Sequence, residues 1–146
     1  MTTLFRIAAG SLIAAGLTFA SANAAEHKFK VDLTSAQEVP ANTSTGKGTA
    51  EITVNDATKE VSWKVTYEGL TGEATAAHIH GPAAAGANAG VVAALVPQGS
   101  SPKSPIEGKA TLTDAQLADI LAGKDYVNVH TAANKGGEIR AQIVHK

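Results

Sequence analysis

Cysteine is absent from this 146-residue chain, which excludes a disulfide framework and a lipid anchor built on an N-terminal cysteine. Stability has to come from the core alone. An excess of one charge is also missing: 12 Lys and Arg stand against 13 Asp and Glu, with the basic residues scattered. That balance offers no electrostatic footprint for a nucleic acid. There is no internal repeat and no long low-complexity tract. The one long apolar run, residues 7–20, falls short of the roughly 20 residues that span a bilayer, and no second run follows. Arg6 precedes it and Ala22-Asn23-Ala24 closes it, the pattern of a secretory signal peptide. Cleavage is expected between Ala24 and Ala25. The expectation is therefore a leader over 1–24, then a single domain over 25–146, periplasmic or secreted, with no membrane segment after cleavage.

What is present reads as short strands separated by Gly, Pro, Asn and Asp turns. Apolar and polar residues alternate over 27–33, 48–54 and 61–67, the last two flanking an Asn55-Asp56-Ala57-Thr58 turn as an antiparallel hairpin. Further strands are expected over 74–80, 90–96, 108–112, 125–130 and 138–144. One helix is expected over 114–122, with Thr113 and Gln116 as a capping box, Leu117, Ile120 and Leu121 as its apolar side, and Gly123 as its stop. The loops over 97–106 and 83–89 are expected to be exposed and mobile. The fold class is all-β: a Greek-key β-sandwich or barrel of about eight strands with one short helix.

Three of the five histidines fall in two of these strands, within Ala77-His78-Ile79-His80-Gly81-Pro82 and Tyr126-Val127-Asn128-Val129-His130-Thr131. Residues two apart on a strand share a face, so His78 and His80 project together. Val127 and Val129 want the core, which turns Tyr126, Asn128 and His130 to the other side. In the last strand Ile139, Ala141 and Ile143 look inward, leaving Glu138, Arg140 and Gln142 on the polar face. Were these strands neighbours, His78, His80, His130, Arg140 and Asn128 would share one surface. Three imidazoles without a thiolate suit copper or zinc, and Asn128 or Glu138 could orient them by hydrogen bonds. Hydrolytic zinc would want a general base, and no obvious one is present. Three ordinary strand histidines remain the alternative reading. A separate copper site would arise at a new N-terminus, where the Ala25 amine, two amides and the His27 imidazole can chelate Cu(II) or Ni(II) in a square plane.

These motifs, with Thr111-Leu112-Thr113 entering the helix, Ala122-Gly123 leaving it and Gly136-Gly137-Glu138-Ile139-Arg140-Ala141-Gln142 near the end, resemble the CHRD domain, named for chordin. The resemblance runs from about Phe29 to Val144. It implies an exported all-β module, and says less about function than about fold. More distantly, the chain is similar to copper/zinc superoxide dismutases, with His78 and His80 resembling a His-x-His copper pair and His130 a later ligand. That similarity implies that Arg140 attracts an anionic substrate. The bridging histidine, the zinc ligands and the disulfide of those enzymes have no counterpart here. Three functions are carried forward: a copper-binding module that buffers, carries or delivers the ion, a copper-only oxidoreductase acting on superoxide, and a metal-free adhesion or protein-binding module.

Overall fold

The computed structural model describes residues 25–145; the expected leader lies outside the described residues. Its elements follow the alternation closely. The strands are β1 (Glu26–Thr34), β2 (Lys47–Asn55), β3 (Glu60–Glu68), β4 (Ala74–His80), β5 (Val91–Ala94), β6 (Ile106–Thr111), β7 (Tyr126–Thr131) and β8 (Ile139–Gln142), with helix α1 (Asp114–Leu121) between β6 and β7. A single 3-10 turn, Ser35–Gln37, follows β1. All pairings are antiparallel, in one sheet of order β5-β4-β7-β8-β1-β2-β3-β6. The sheet curls into a nearly closed barrel around one apolar core, the barrel form of the expected fold.

Period-2 patterning sets the register of that core. Phe29 lies opposite Ile52, which lies opposite Trp63, while Val31, Ala50 and Val65 form the next row; all six are buried. A one-residue slip would turn every one of these side chains to solvent, so burial pins the pairing. Ala77, Ile79, Val127, Val129, Ile139 and Ala141 complete the inner face from the other half of the sheet. Helix α1 begins where the capping box predicts: the Gln116 amide donates to Thr113 Oγ1 at 3.2 Å, and the Thr113 amide to Gln116 Oε1 at 2.9 Å. Gly123, at φ +72°, ends it.

Four differences from the sequence reading have physical causes. The helix stops at Leu121 because Ala122 is already its C-cap. β6 starts two residues early, since Ile106 pairs with Val65 and buries its side chain in the core. The 97–106 loop is mostly exposed but fastened, for Tyr67 donates its hydroxyl to the Pro102 carbonyl at 2.8 Å and its amide to Ser104 Oγ at 3.0 Å. The largest difference concerns β7 and β8. Their polar faces are not solvated: every residue of β7 is buried, and Glu138 and Arg140 are 0% and 1% exposed.

Gly108 on the edge strand β6 faces Trp63, and an added Cβ would come within 2.8 Å of the indole ring. In an open strand, Gly to Ala should stabilise by about 0.5–1 kcal/mol. Here Gly108→Ala is expected to destabilise by about 1–3 kcal/mol, because the packed indole has to shift. A urea titration followed by the fluorescence of Trp63, the only tryptophan, measures it; an unchanged or raised midpoint would show that the indole is free to move.

Candidate metal centre

The order β4-β7-β8 decides which outward side chains meet. His80 lies opposite Tyr126, which lies opposite Gln142; His78 lies opposite Asn128, which lies opposite Arg140; His130 lies opposite Ala76, diagonal to His78. Strand parity therefore brings the three predicted histidines together on one face. Ring centroids are 5.3 Å apart for His78 and His80, 4.9 Å for His78 and His130, and 5.9 Å for His80 and His130. One ring nitrogen from each lies within 4.8 Å of the others. No carboxylate joins this group among the described residues.

Backbone carbonyls fix which nitrogens face inward. His80 Nδ1 lies 3.0 Å from the Ala89 carbonyl and His130 Nδ1 lies 2.9 Å from the Lys135 carbonyl. A carbonyl only accepts, so both Nδ1 atoms carry the proton and both Nε2 atoms are unprotonated. His130 Nε2 then accepts from His78 Nδ1 at 3.1 Å. His80 Nε2 is buried and has no hydrogen-bond partner. An unmet buried acceptor costs about 1–3 kcal/mol, and a cation at the centre of the three rings would remove that cost. The donor set fits a metal ion: three nitrogens held by a tetrahedral ion at about 2.0–2.1 Å sit roughly 3.3–3.4 Å apart, so the group, now within 4.8 Å, has to contract by up to roughly 1.5 Å.

The two carbonyls are themselves held. Ala89 closes the 83–89 loop, and its amide donates to the Tyr126 hydroxyl at 3.2 Å. Arg140 donates to the Ala87 carbonyl at 2.8 Å and to Asn88 Oδ1 at 3.1 Å, Gln142 donates to the Ala83 carbonyl at 2.8 Å, and Asn88 donates to the Val39 carbonyl at 2.8 Å. The expected mobile loop is in fact laced to the sheet. Gly81 has to be glycine here, because a Cβ would collide with the Asp125 carboxylate. Lys135 belongs to the turn before β8, which Glu138 anchors by accepting from Asn134 Nδ2 at 3.2 Å and from the hydroxyls of Thr131 and Thr71.

Glu138 accordingly does not orient a histidine directly. Its other oxygen accepts from Ser44 Oγ at 2.6 Å and from the Thr71 amide at 2.7 Å. Burial by itself would raise this carboxyl; the donors outweigh it and hold it at about 2. Asn128 stands between the histidines and Arg140, donating to the Gly136 carbonyl at 3.4 Å and helping to hold up the His80 pKa. Arg140 lies furthest from its expected solvated face. The distant similarity had it attracting an anion, yet its guanidinium lies 3.4 Å from the centroid of Tyr126, buried and spent on loop acceptors. The other face of Tyr126 stacks on His80 at 4.9 Å with the planes 10° apart. At the N-terminal end, the Ala25 amide donates to Asp56 Oδ1 at 2.8 Å, His27 Nε2 lies 3.6 Å from Asp56 Oδ2, and Glu26 and His27 are in the β1 ladder. Consecutive strand amides point to opposite sides, so a square-planar chelate would require this end of β1 to unpair.

Two buried carboxyls escaped the sequence reading. Burial pushes Glu38 up to about 7, against the pull of Arg140, Asn128 and the Val39 amide. Burial, reinforced by Asp119, likewise pushes Asp125 to about 7. Their spacing carries no signal, because loop packing rather than alternation covers them.

The all-β barrel and its cluster define a small module with a candidate three-imidazole centre. The family model of the CHRD domain matches residues 29–143, and the chain belongs to that family. No curated protein and no solved structure matches it.

All three imidazoles are pushed toward the neutral form, burial being the largest cause in each; for His78 the nearby His130 and His80 add to it and bring the value to about 4. A folded pKa below the unfolded value means that the unfolded chain takes the proton first. Stability associated with His78 is then lost as pH falls from about 6.5 toward 4. Imidazole proton shifts followed by NMR in chelator-treated protein should place the His78 midpoint near 4, with His80 and His130 below 6.5. A cluster titrating at 6.5 would mean that the rings are solvated and apart.

Proposed function

We propose that this CHRD domain is an exported metal-binding module that takes one copper ion through His78, His80 and His130 and buffers, carries or delivers it. The observation that carries the reading is the convergence of one ring nitrogen from each of His78, His80 and His130 to within 4.8 Å, with a buried His80 Nε2 that makes no hydrogen bond. The tautomers of His80 and His130, set by the Ala89 and Lys135 carbonyls, leave both Nε2 atoms unprotonated, and the proton that His78 Nδ1 shares with His130 Nε2 would shift to His78 Nε2 on binding. Zinc could occupy the same nitrogens. Copper is favoured because imidazole sites bind it more tightly than zinc, and because no carboxylate stands in the group to serve a hydrolytic zinc. Export rests on the leader pattern over 1–24. Among the described residues no helix is long and apolar enough to cross a membrane.

The superoxide reading draws no support from Arg140, whose charge is turned into the protein rather than toward an approaching anion. A partner protein could receive the ion or dock without it. Metal analysis after loading the purified protein with copper or zinc and removing the excess is expected to give close to one equivalent. His80→Ala and His130→Ala should each weaken retention by more than the roughly 10–100-fold that losing a supporting hydrogen bond costs. No retained metal, with a melting temperature indifferent to chelator, would leave the adhesion or protein-binding reading in its place.

A further inference from the structure

The centre has neutral ligands, and the buried charge that neighbours it across Tyr126 is positive. Sulfur, which selects Cu(I) by softness, is not available: the chain has no cysteine, and its single methionine is Met1. No carboxylate stands among the ligand atoms. The cavity of about 240 Å³ beside His78 is lined by groups such as Thr75, Ala76, Ala94, Val96 and Gln98, and contains no charged side chain apart from a protonatable His78. Nothing there supplies a negative charge to a bound ion.

Arg140 adds to this from the other side. Strand order places Tyr126 between β4 and β8, so His80 and Arg140 take opposite faces of its ring. Guanidinium carbon to ring centroid is 3.4 Å, and centroid to His80 ring is 4.9 Å, which sets the charge roughly 8 Å from the His80 ring. Glu38 offsets the guanidinium only in part, since burial leaves its carboxyl partly protonated at neutral pH. Each unit of charge on a bound ion meets this repulsion. A dipositive ion meets it twice over, in a site with no anion to relieve it.

Resting on the three-histidine reading above, we propose that the centre holds copper as Cu(I) in preference to Cu(II), and that Arg140, acting through Tyr126 on His80, sets part of that preference. At an effective dielectric near 20, one guanidinium at this distance disfavours the second charge by roughly 30-fold. The role is electrostatic, and Arg140 touches no ligand atom.

The test is the reduction potential of the copper-loaded protein, measured by redox titration with the EPR signal of Cu(II) as readout. The expected result is a potential above that of aqueous copper, which falls by about 90 mV in Arg140→Gln, the equivalent of 30-fold for one electron. Arg140→Lys, which keeps the charge and loses the fork, should retain most of the potential. A wild-type potential at or below that of aqueous copper overturns the preference; a high potential unmoved in Arg140→Gln overturns the part assigned to Arg140. Should Arg140→Gln not fold, the wild-type potential decides the preference, and the neutral Arg140→Met, read in the same way, decides the part assigned to Arg140. Copper that is not retained in either state defeats the metal-binding reading itself, an outcome distinct from copper retained as Cu(II).

Discussion

Strand β7 is buried on both faces, and each polar group on its outer face has to find a partner inside the protein. Val127 and Val129 meet the barrel core, while Tyr126, Asn128 and His130 meet a second layer made by loops. That layer is why Arg140 can be 1% exposed without an ion-pair partner at contact distance among the described residues. Its charge is spread over the Tyr126 face, a carbonyl and an amide oxygen. The 83–89 loop is rich in alanine and the 134–137 turn in glycine, and neither has a large apolar side chain of its own. They are held because their carbonyls are the acceptors that β7 and β8 require.

Two supports of the histidine cluster are consequences of this accounting. The loop that accepts from Arg140 ends at Ala89, whose carbonyl sets the His80 tautomer; the turn that Glu138 gathers presents Lys135, whose carbonyl sets His130. Metal ligands elsewhere need such groups to hold their rings, and here they come from backbone rather than from carboxylates. The exceptions to the accounting are equally informative. His80 Nε2, Asn128 Oδ1 and both Asp125 oxygens are buried without hydrogen-bond partners. For Asp125 burial answers by keeping the proton on; for His80 Nε2 a bound cation would answer it.

Strand parity made the inner face and the meeting of the three histidines legible, because an alternating pattern fixes a side chain's face whatever the tertiary context. Which strands would be neighbours was not contained in it. The pairing of β4 with β7, and of β7 with β8, turned a shared parity into a shared site. Burial of the outer face was illegible for a different reason. It depends on segments distant in the chain, such as Val39 beside Asn88 and Ala87 beside Arg140, which carry no periodic signal. Alternation therefore marked Arg140 and Glu138 as surface residues when they are the largest buried charges of the fold. Glu38 stood in a turn-like stretch with nothing to announce that it would pack beneath the same layer.

The buried ionisable groups also pull the stability in opposite directions with pH. Glu38 and Asp125 hold their protons up to about 7, above their unfolded values, so the stability they lend is complete in acid and lost as pH rises through about 7. The three histidines work the other way, the unfolded chain taking up protons first as pH falls below 6.5. Between about 4.5 and 6.5 these contributions oppose one another. Glu138 has no such counterweight: with its folded pKa at about 2, its contribution is present above about 4.5 and drains away as pH falls from there. The carboxyl that gathers the Lys135 turn is therefore the group through which strong acid would loosen the His130 side of the cluster. On the His80 side the loop is tied through Arg140 to acceptors that do not titrate, so there acid acts on the imidazole itself rather than on its support.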